Sequence, residues 1–244
     1  STFVLVHGAT SDASAWDSIA PFLKALGHRV YAVTLPGHGS DSANLPEQTM
    51  SSYGKHVADF ICRLEEPVIL VGHSMGGAVI SVAGELIPEK ICKLVYLAAW
   101  MLLPGQSCNH PDTSYEPHWF YKTSQDGKTV GAEDFYEMDE NGNMKLRDRP
   151  EGFSVPQLYA HTTLEARPDP LARESIAALY EPVYTTPERW GSIRRFYIEC
   201  MRDDSITYEV EEKMLKNLPC ELVYELDTGH RPQVTMPEEL CVIL

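Results

Sequence analysis

The stretch VILVGHSMGGAV, Val68 to Val79, decides how the rest of the chain is read. Four apolar residues run into Gly72, a serine follows at position 74, and Gly76 and Gly77 open a helical pattern. A buried strand, a tight turn and a helix in that order put Ser74 on a strained elbow with its Oγ exposed, and flanking glycines keep side chains out of the crowded turn. The helix N-terminus behind it offers unpaired N–H groups and a positive dipole end, which suit a developing oxyanion. G-x-S-x-G fixes only three positions, so the same residues also fit a small polar residue in a turn. A base, an acid and an oxyanion site elsewhere in the chain must decide between the two.

Outward from this segment, five further apolar runs read as strands: FVLV from Phe3, VYAV from Val30, LVYLA from Leu94, FYIEC from Phe196 and ELVYEL from Glu221. Most are continuous rather than alternating, as expected of strands covered on both faces. Helical patterns separate them, at Ala15 to Leu26 closed by Gly27, Ser51 to Leu64, Met75 to Ile87 stopped by Pro88, and Tyr208 to Asn217. In the first, Trp16, Ile19, Ala20, Leu23 and Leu26 make one apolar stripe, which predicts a core role for Trp16. The alternation predicts an α/β fold, a mainly parallel six-stranded sheet with helices on both faces. The rhythm breaks between about Leu102 and Pro187, where Pro, Gly, charged and aromatic residues show no clear strand. An interruption that long predicts an inserted cap, 102–187, in a core made of 1–101 and 188–244. Turn signals fall at Asp126-Gly127 and Asn141-Gly142, the second read as a hairpin tip.

The composition fits a compact soluble protein. With 244 residues and 43% apolar side chains, there is enough material for a sizeable core, and the net charge of −15 opposes binding to nucleic acid or to anionic membranes. No apolar run approaches the roughly 20 residues that span a bilayer, and the opening on TFVLV leads us to expect no signal peptide. Cys62, Cys92, Cys108, Cys200, Cys220 and Cys241 are scattered without a C-x-x-C pair, so neither a zinc site nor a redox motif is suggested. They read as small core residues in a reducing compartment, and a cytoplasmic address is expected. The oligomeric state is not legible, and a homodimer stays open.

Ser74 is a weak nucleophile unless a base lies within hydrogen-bond reach and a third group orients that base. Of nine histidines, His230 stands out because it lies in ELDTGHRP, just after the last strand, which delivers its imidazole to the carboxyl edge of the sheet where Ser74 emerges. His73 neighbours the serine but points the wrong way around the elbow. His38 sits in the glycine-rich loop LPGHGSD, and His28, His56, His110, His118 and His161 read as surface or packing residues. For the acid, Asp203 and Asp204 follow the fifth strand, and Asp227 is the rival, three residues before His230. The oxyanion hole needs two converging backbone donors: the amide of Met75, and one from the loop after the first strand, for which we choose Ala9. Gly8 allows close approach there, and His7 braces the loop.

With these residues in view, the chain resembles the α/β-hydrolases of the plant methylesterase and hydroxynitrile lyase group and bacterial carboxylesterases of the same build. The matching segments are FVLVHGA with Trp16, VILVGHSMGGAV, IPEKICKLVYLAAWMLLPG, ERWGSIRRFYIECMRDDSI and GHRPQVTMPEEL. The resemblance implies that the acid is the first Asp of C-x-x-D-x-x-I, which is Asp203. It also implies esterase rather than lyase chemistry, because the lyases carry Thr at the position of Gly8 and Lys at that of Arg231, whereas the esterases keep Gly. Arginine does not hand over a proton at neutral pH, so Arg231 is a poor substitute for the lyase lysine.

The expectation is a serine carboxylesterase with no cofactor and no metal, acting on a small, largely apolar ester through an acyl-enzyme. A hydroxynitrile lyase and a hormone-like sensor with slow turnover are the alternatives. Trp100, Trp119, Phe120, Tyr121, Phe135, Tyr136, Phe153 and Tyr159, with Gly8 and Arg231, are candidates for the walls of its pocket, although most such aromatics serve only to hold a cap in place.

Overall fold

A computed structural model describes residues 1–109, 122–123, 129–130, 136–146, 173–203 and 205–244. Strands β1 (Thr2–Val6), β2 (Arg29–Val33), β3 (Val68–Ser74) and β4 (Ile91–Ala99) come first along the chain. Five short strands follow: β5 (Lys122–Thr123), β6 (Thr129–Val130), β7 (Tyr136–Met138), β8 (Met144–Leu146) and β9 (Arg173–Glu174). Strands β10 (Arg195–Cys200) and β11 (Leu222–Leu226) close the series. The main sheet has the order β11-β10-β4-β3-β1-β2, and every pairing in it is parallel.

The continuous apolar runs follow from this placement. Successive side chains of a strand face opposite ways. Val4 and Val6 of β1, Leu70 of β3, and Leu94 and Tyr96 of β4 enter the apolar cluster on one face. Phe3 and Leu5, Ile69 and Val71, and Val95 and Leu97 enter the cluster on the other. Burying such a side chain contributes about 1.5–3 kcal/mol, so both faces drive the sheet. The edge strands differ: Tyr31 on β2 and Leu222, Val223 and Tyr224 on β11 are exposed.

On the first face lie α2 (Met50–Cys62), started by a reciprocal Thr49–Ser52 capping box, and α3 (Gly76–Leu86). The predicted helix from Ala15 to Leu26 is instead two pieces, a 3-10 turn at Ala13–Trp16 and a helix α1 at Ala20–Ala25. Pro21 is the reason: inside a longer helix its ring would clash with the preceding turn, whereas at the first turn its missing N–H costs nothing. Trp16, Ile19 and Leu23 are buried as expected, but Leu26 is 64% exposed. The helix at Tyr208–Asn217 has the predicted bounds.

Within 102–187 the described residues do contain strands, too short for any periodicity to register. β5 pairs antiparallel with β6 across the Asp126-Gly127 turn signal, whose own residues lie outside those described. β7, β8 and β9 form a small antiparallel sheet, and Asn141-Gly142 sits at the β7–β8 tip with Gly142 at φ 78°. Asp139 closes that tip by accepting from the amides of Asn141 and Asn143. Leu102, Cys108, Met144, Leu179 and Val183 pack in the same apolar cluster as α2 and α3, which ties this segment to the sheet. Of the cysteines, Cys108, Cys200 and Cys241 are buried, but Cys62 and Cys92 are exposed, against the expectation of a uniformly core role. Among the described residues no helix is long and apolar enough to cross a membrane.

Candidate active site

Ser74 ends β3 with φ 54°, a left-handed backbone uncommon for a residue with a side chain, and it is partly exposed. The pairing of β3 with β4 slips there, His73 facing Leu97 and Ser74 facing Ala99, so that Ala98 is an extra residue with φ 42°. That bulge turns the strand end outward, and the Trp100 amide donates to the Ser74 carbonyl at 3.0 Å. The turn has no room for more: a Cβ on Gly72 would lie 2.4 Å from the Gly76 carbonyl oxygen, and one on Gly76 2.7 Å from that of His7. The first turn of α3, which begins two residues after the serine, has no side-chain cap, so no side chain takes up its free N–H groups.

His230 follows β11 and Asp203 follows β10, two neighbouring parallel strands, so both side chains arrive at the same sheet edge as Ser74. His230 Nδ1–H donates to Asp203 Oδ2 at 2.6 Å, while Asp203 Oδ1 accepts the amides of Ser205 at 2.7 Å and Ile206 at 3.0 Å. The carboxylate is thereby fixed on three sides and holds the ring in the tautomer whose Nε2 carries a lone pair. That Nε2 has no hydrogen-bond partner among the described residues, and the His230 side chain is 15% exposed. The rival Asp227 is spent elsewhere: it is exposed and pairs with Arg202 at 2.9 Å. Asp204 lies outside the described residues.

His73 is buried and turned from the serine, as its place on the elbow suggested. Its Nε2–H donates to the His230 carbonyl at 2.7 Å, and the two rings lie 4.7 Å apart. Burial above all, then the neighbouring His230, pushes its pKa well below the ordinary value, so it stays a neutral brace that ties the His230 loop to the residue before Ser74.

The loop after β1 meets the elbow from the other side. A Cβ on Gly8 would lie 2.8 Å from Ser74 Cβ, so the backbone passes directly over that serine. Ala9 follows, half-buried, with its amide donating to no described group. His7 anchors the loop: Nδ1–H donates to the Gly8 carbonyl at 2.8 Å and Nε2 accepts from the Leu35 amide at 3.0 Å. Burial lowers its pKa to about 4, which keeps it neutral and able to make both bonds.

A second buried pair stands behind this loop, and nothing in the sequence pointed to it. Glu174 Oε2 accepts from His38 Nε2 at 3.0 Å and from the Thr10 amide at 3.3 Å, while Oε1 accepts the Tyr53 hydroxyl at 2.8 Å and the Ser175 amide at 2.9 Å. Burial opposes the charge on each partner. The mutual attraction outweighs it, so His38 titrates above and Glu174 below its ordinary value. His38, placed by the sequence only in a glycine-rich loop, is buried against this carboxylate. Of the pocket candidates, Trp100 is buried in the core and Arg231 heads the short helix Pro232–Thr235. Trp119, Phe120, Tyr121, Phe135, Phe153 and Tyr159 lie outside the described residues, and of Tyr136 only the backbone is described.

A strained serine at a strand-to-helix elbow, with an aspartate-oriented histidine at the same edge of a parallel sheet, has the build of a serine hydrolase. Residues 3–242 match the model of the alpha/beta hydrolase family, to which the chain belongs. Among the similar proteins is methyl jasmonate esterase 1 of Vitis vinifera, 32% identical over 99% of this chain and 94% of its own length. Putative methylesterase 15, chloroplastic, of Arabidopsis thaliana is 34% identical over 99% of the chain, but the chain spans only 55% of that longer protein. The crystal structure of a pyrethroid hydrolase from Sphingobium faniae JZ-2 superposes with a TM-score of 0.80 at 28% identity, covering 100% of this chain and 95% of the other.

Proposed function

We propose that the chain is a serine carboxylesterase acting on small, largely apolar carboxylic esters, with residues 102–187 as a cap over the site. The observation that carries this reading is the 2.6 Å bond from His230 to the buried Asp203, at the sheet edge where Ser74 emerges from a strained turn. In the reaction, His230 Nε2 takes the Ser74 hydroxyl proton as Oγ attacks the ester carbonyl, and the amides of Ala9 and Met75 receive the oxyanion. The imidazolium, steadied by Asp203, returns that proton to the leaving alcohol, and an acyl-enzyme remains. Water, activated by the same histidine, then releases the acid and restores the serine.

The space over the serine favours hydrolysis over cyanohydrin cleavage. Gly8 has no room for the threonine of the lyases without a shift of the elbow, since its first side-chain carbon would meet Ser74 Cβ at 2.8 Å. Six unpaired cysteines support a reducing, cytoplasmic address. The test is turnover of p-nitrophenyl acetate by the wild type and by Ser74→Ala. A loss of several orders of magnitude is expected. A variant that keeps most of the activity, or release of cyanide from mandelonitrile in place of ester turnover, would overturn the reading, as would stoichiometric serine labelling without turnover.

A further inference from the structure

We infer that Glu174 is a positioning residue for the oxyanion loop and that it ties the geometry of that loop to the seating of the cap. The inference rests on the esterase reading above for its catalytic consequence, and on contacts alone for the coupling.

Glu174 is fully buried and spends both oxygens on four donors from four places in the chain. The Thr10 amide lies 164 residues away in sequence, His38 Nε2 136 and the Tyr53 hydroxyl 121; only Ser175 is local. Three of these donors belong to the hydrolase core. Glu174 itself lies on β9, which pairs with β8 in the small antiparallel sheet within 102–187. The same return segment is docked a second time, where Ser175 Oγ donates to the Gln48 carbonyl at 2.6 Å and Glu181 accepts from the amide and hydroxyl of Ser51.

The contact to Thr10 is the one that reaches the chemistry. Thr10 has φ 56°, a left-handed conformation that a β-branched residue adopts only when its surroundings hold it there. The Glu174 carboxylate accepts its amide on one side. On the other, His7 holds the loop through the Gly8 carbonyl and the Leu35 amide. Ala9, the proposed oxyanion donor, lies between these two clamps. Its N–H direction is set by the peptide planes on either side, so releasing Thr10 lets that amide swing. A donor that must meet an oxyanion within a few tenths of an ångström loses its effect when it swings.

Glu174→Gln keeps the side-chain shape but turns one acceptor oxygen into an NH2 group facing two donors. Two measurements test the inference. Hydrogen exchange followed by mass spectrometry should show faster exchange in a peptide covering residues 7–12 of the variant, with peptides from β10 and β11 unchanged. With p-nitrophenyl acetate, and rates normalised to serines titrated by phenylmethylsulfonyl fluoride, kcat should fall about 10- to 100-fold while KM stays within about threefold. Glu181→Gln, which loosens the return segment without removing the Thr10 contact, should raise exchange at residues 7–12 in the same direction but to a smaller extent, with peptides from β10 and β11 again unchanged. Unchanged exchange at residues 7–12 would overturn the inference, as would uniformly faster exchange along the chain. An unchanged kcat beside a loosened loop would overturn the positioning role. If the wild type itself turns over no ester, the esterase reading fails, and the exchange measurement still decides the coupling.

Discussion

Asp203 and Glu174 are both buried carboxylates bonded to a histidine nitrogen, at 2.6 Å to His230 and 3.0 Å to His38, yet the two pairs are built for different ends. His38 uses both ring nitrogens, Nε2 on Glu174 and Nδ1 on the Pro36 carbonyl, and its side chain is 1% exposed. A ring that donates from both nitrogens is an imidazolium with no lone pair, so it has nothing to offer a substrate. His230 engages only Nδ1 among the described residues, and its side chain is 15% exposed. A carboxylate–histidine contact is thus no mark of catalysis by itself; the free nitrogen is. The remaining bonds of each carboxylate tell the same story. Asp203 takes two amides from its own turn, so it is aimed locally, whereas Glu174 gathers distant segments and holds them together.

The largest expected effect falls on the first pair and on rate alone. Asp203→Asn keeps the shape of the side chain but no longer fixes the tautomer of His230, and kcat for p-nitrophenyl acetate should drop about 10³- to 10⁴-fold. Unfolding by urea should change little beside that, because the turn amides still find an oxygen. A drop in stability as large as the drop in rate would erase the contrast drawn between the pairs.

Glu174→Ala should do the reverse in magnitude. It removes the attraction that offsets the burial of the His38 charge and leaves the Thr10 amide and Tyr53 hydroxyl unpaired, so denaturation in urea should show a loss of about 3–5 kcal/mol. His38→Ala strands the carboxylate instead and should cost a similar amount. If the double variant Glu174→Leu with His38→Leu recovers most of that loss, the pair acts as a charge held against its own desolvation rather than as a net source of stability.

The proposed triad is legible in the sequence because each of its candidate members stands at the end of an apolar run long enough to declare itself. VILV leads to Ser74, FYIEC to Asp203, and ELVYEL to His230, and parallel strands bring their carboxyl ends to one edge whatever the separation along the chain. Glu174 had no such carrier. It lies on a two-residue strand amid Pro, Gly and charge, and three of its four partners are more than 100 residues away, where only the folded contacts reveal them. The first helix was misjudged for a related reason: the apolar stripe from Trp16 was real, but Pro21 inside it outweighed the period. Nothing in the chain's rhythm showed that the edge strands β2 and β11 would be left uncovered.

Acid exposes a further contrast, among histidines. His7 is held neutral with its pKa near 4, below its ordinary 6.5, by burial first and by the nearby His38 second. As pH falls from 6.5 toward 4 the unfolded chain takes up a proton that the folded chain refuses, so stability falls across that window. The His7 share is about 3 kcal/mol at 1.36 kcal/mol per pH unit. His73, also depressed, adds in the same direction. His38 has the opposite sign: its raised pKa gives stability that is complete below pH 6.5 and lost as pH rises through its folded value. Thermal melts from pH 4 to 8 should therefore show an acid limb of falling stability, and His7→Gln should flatten it. An acid limb unchanged in that variant would remove His7 from the account.

The smallest expected effect lies at Gly8, where the two halves of the site touch. The elbow is rigid, with Ser74 locked at φ 54° between bulge and helix, and the loop is rigid, clamped through His7 and Thr10. A methyl group at Gly8 would meet Ser74 Cβ at 2.8 Å, His73 Nδ1 at 3.2 Å and the His73 carbonyl oxygen at 3.3 Å, none of them the far end of a flexible side chain. One half must yield by a few tenths of an ångström, and which one yields is measurable. Gly8→Ala should destabilise by about 1–2 kcal/mol in urea denaturation, as overpacking does. If the loop yields, the Ala9 donor moves off the oxyanion and kcat falls about tenfold with KM held. Combined with Glu174→Gln, the loss in kcat should then be less than the product of the two single losses, because the loop has already been released. If instead the elbow yields, the losses multiply, and Glu174 and Gly8 act on different halves of the site.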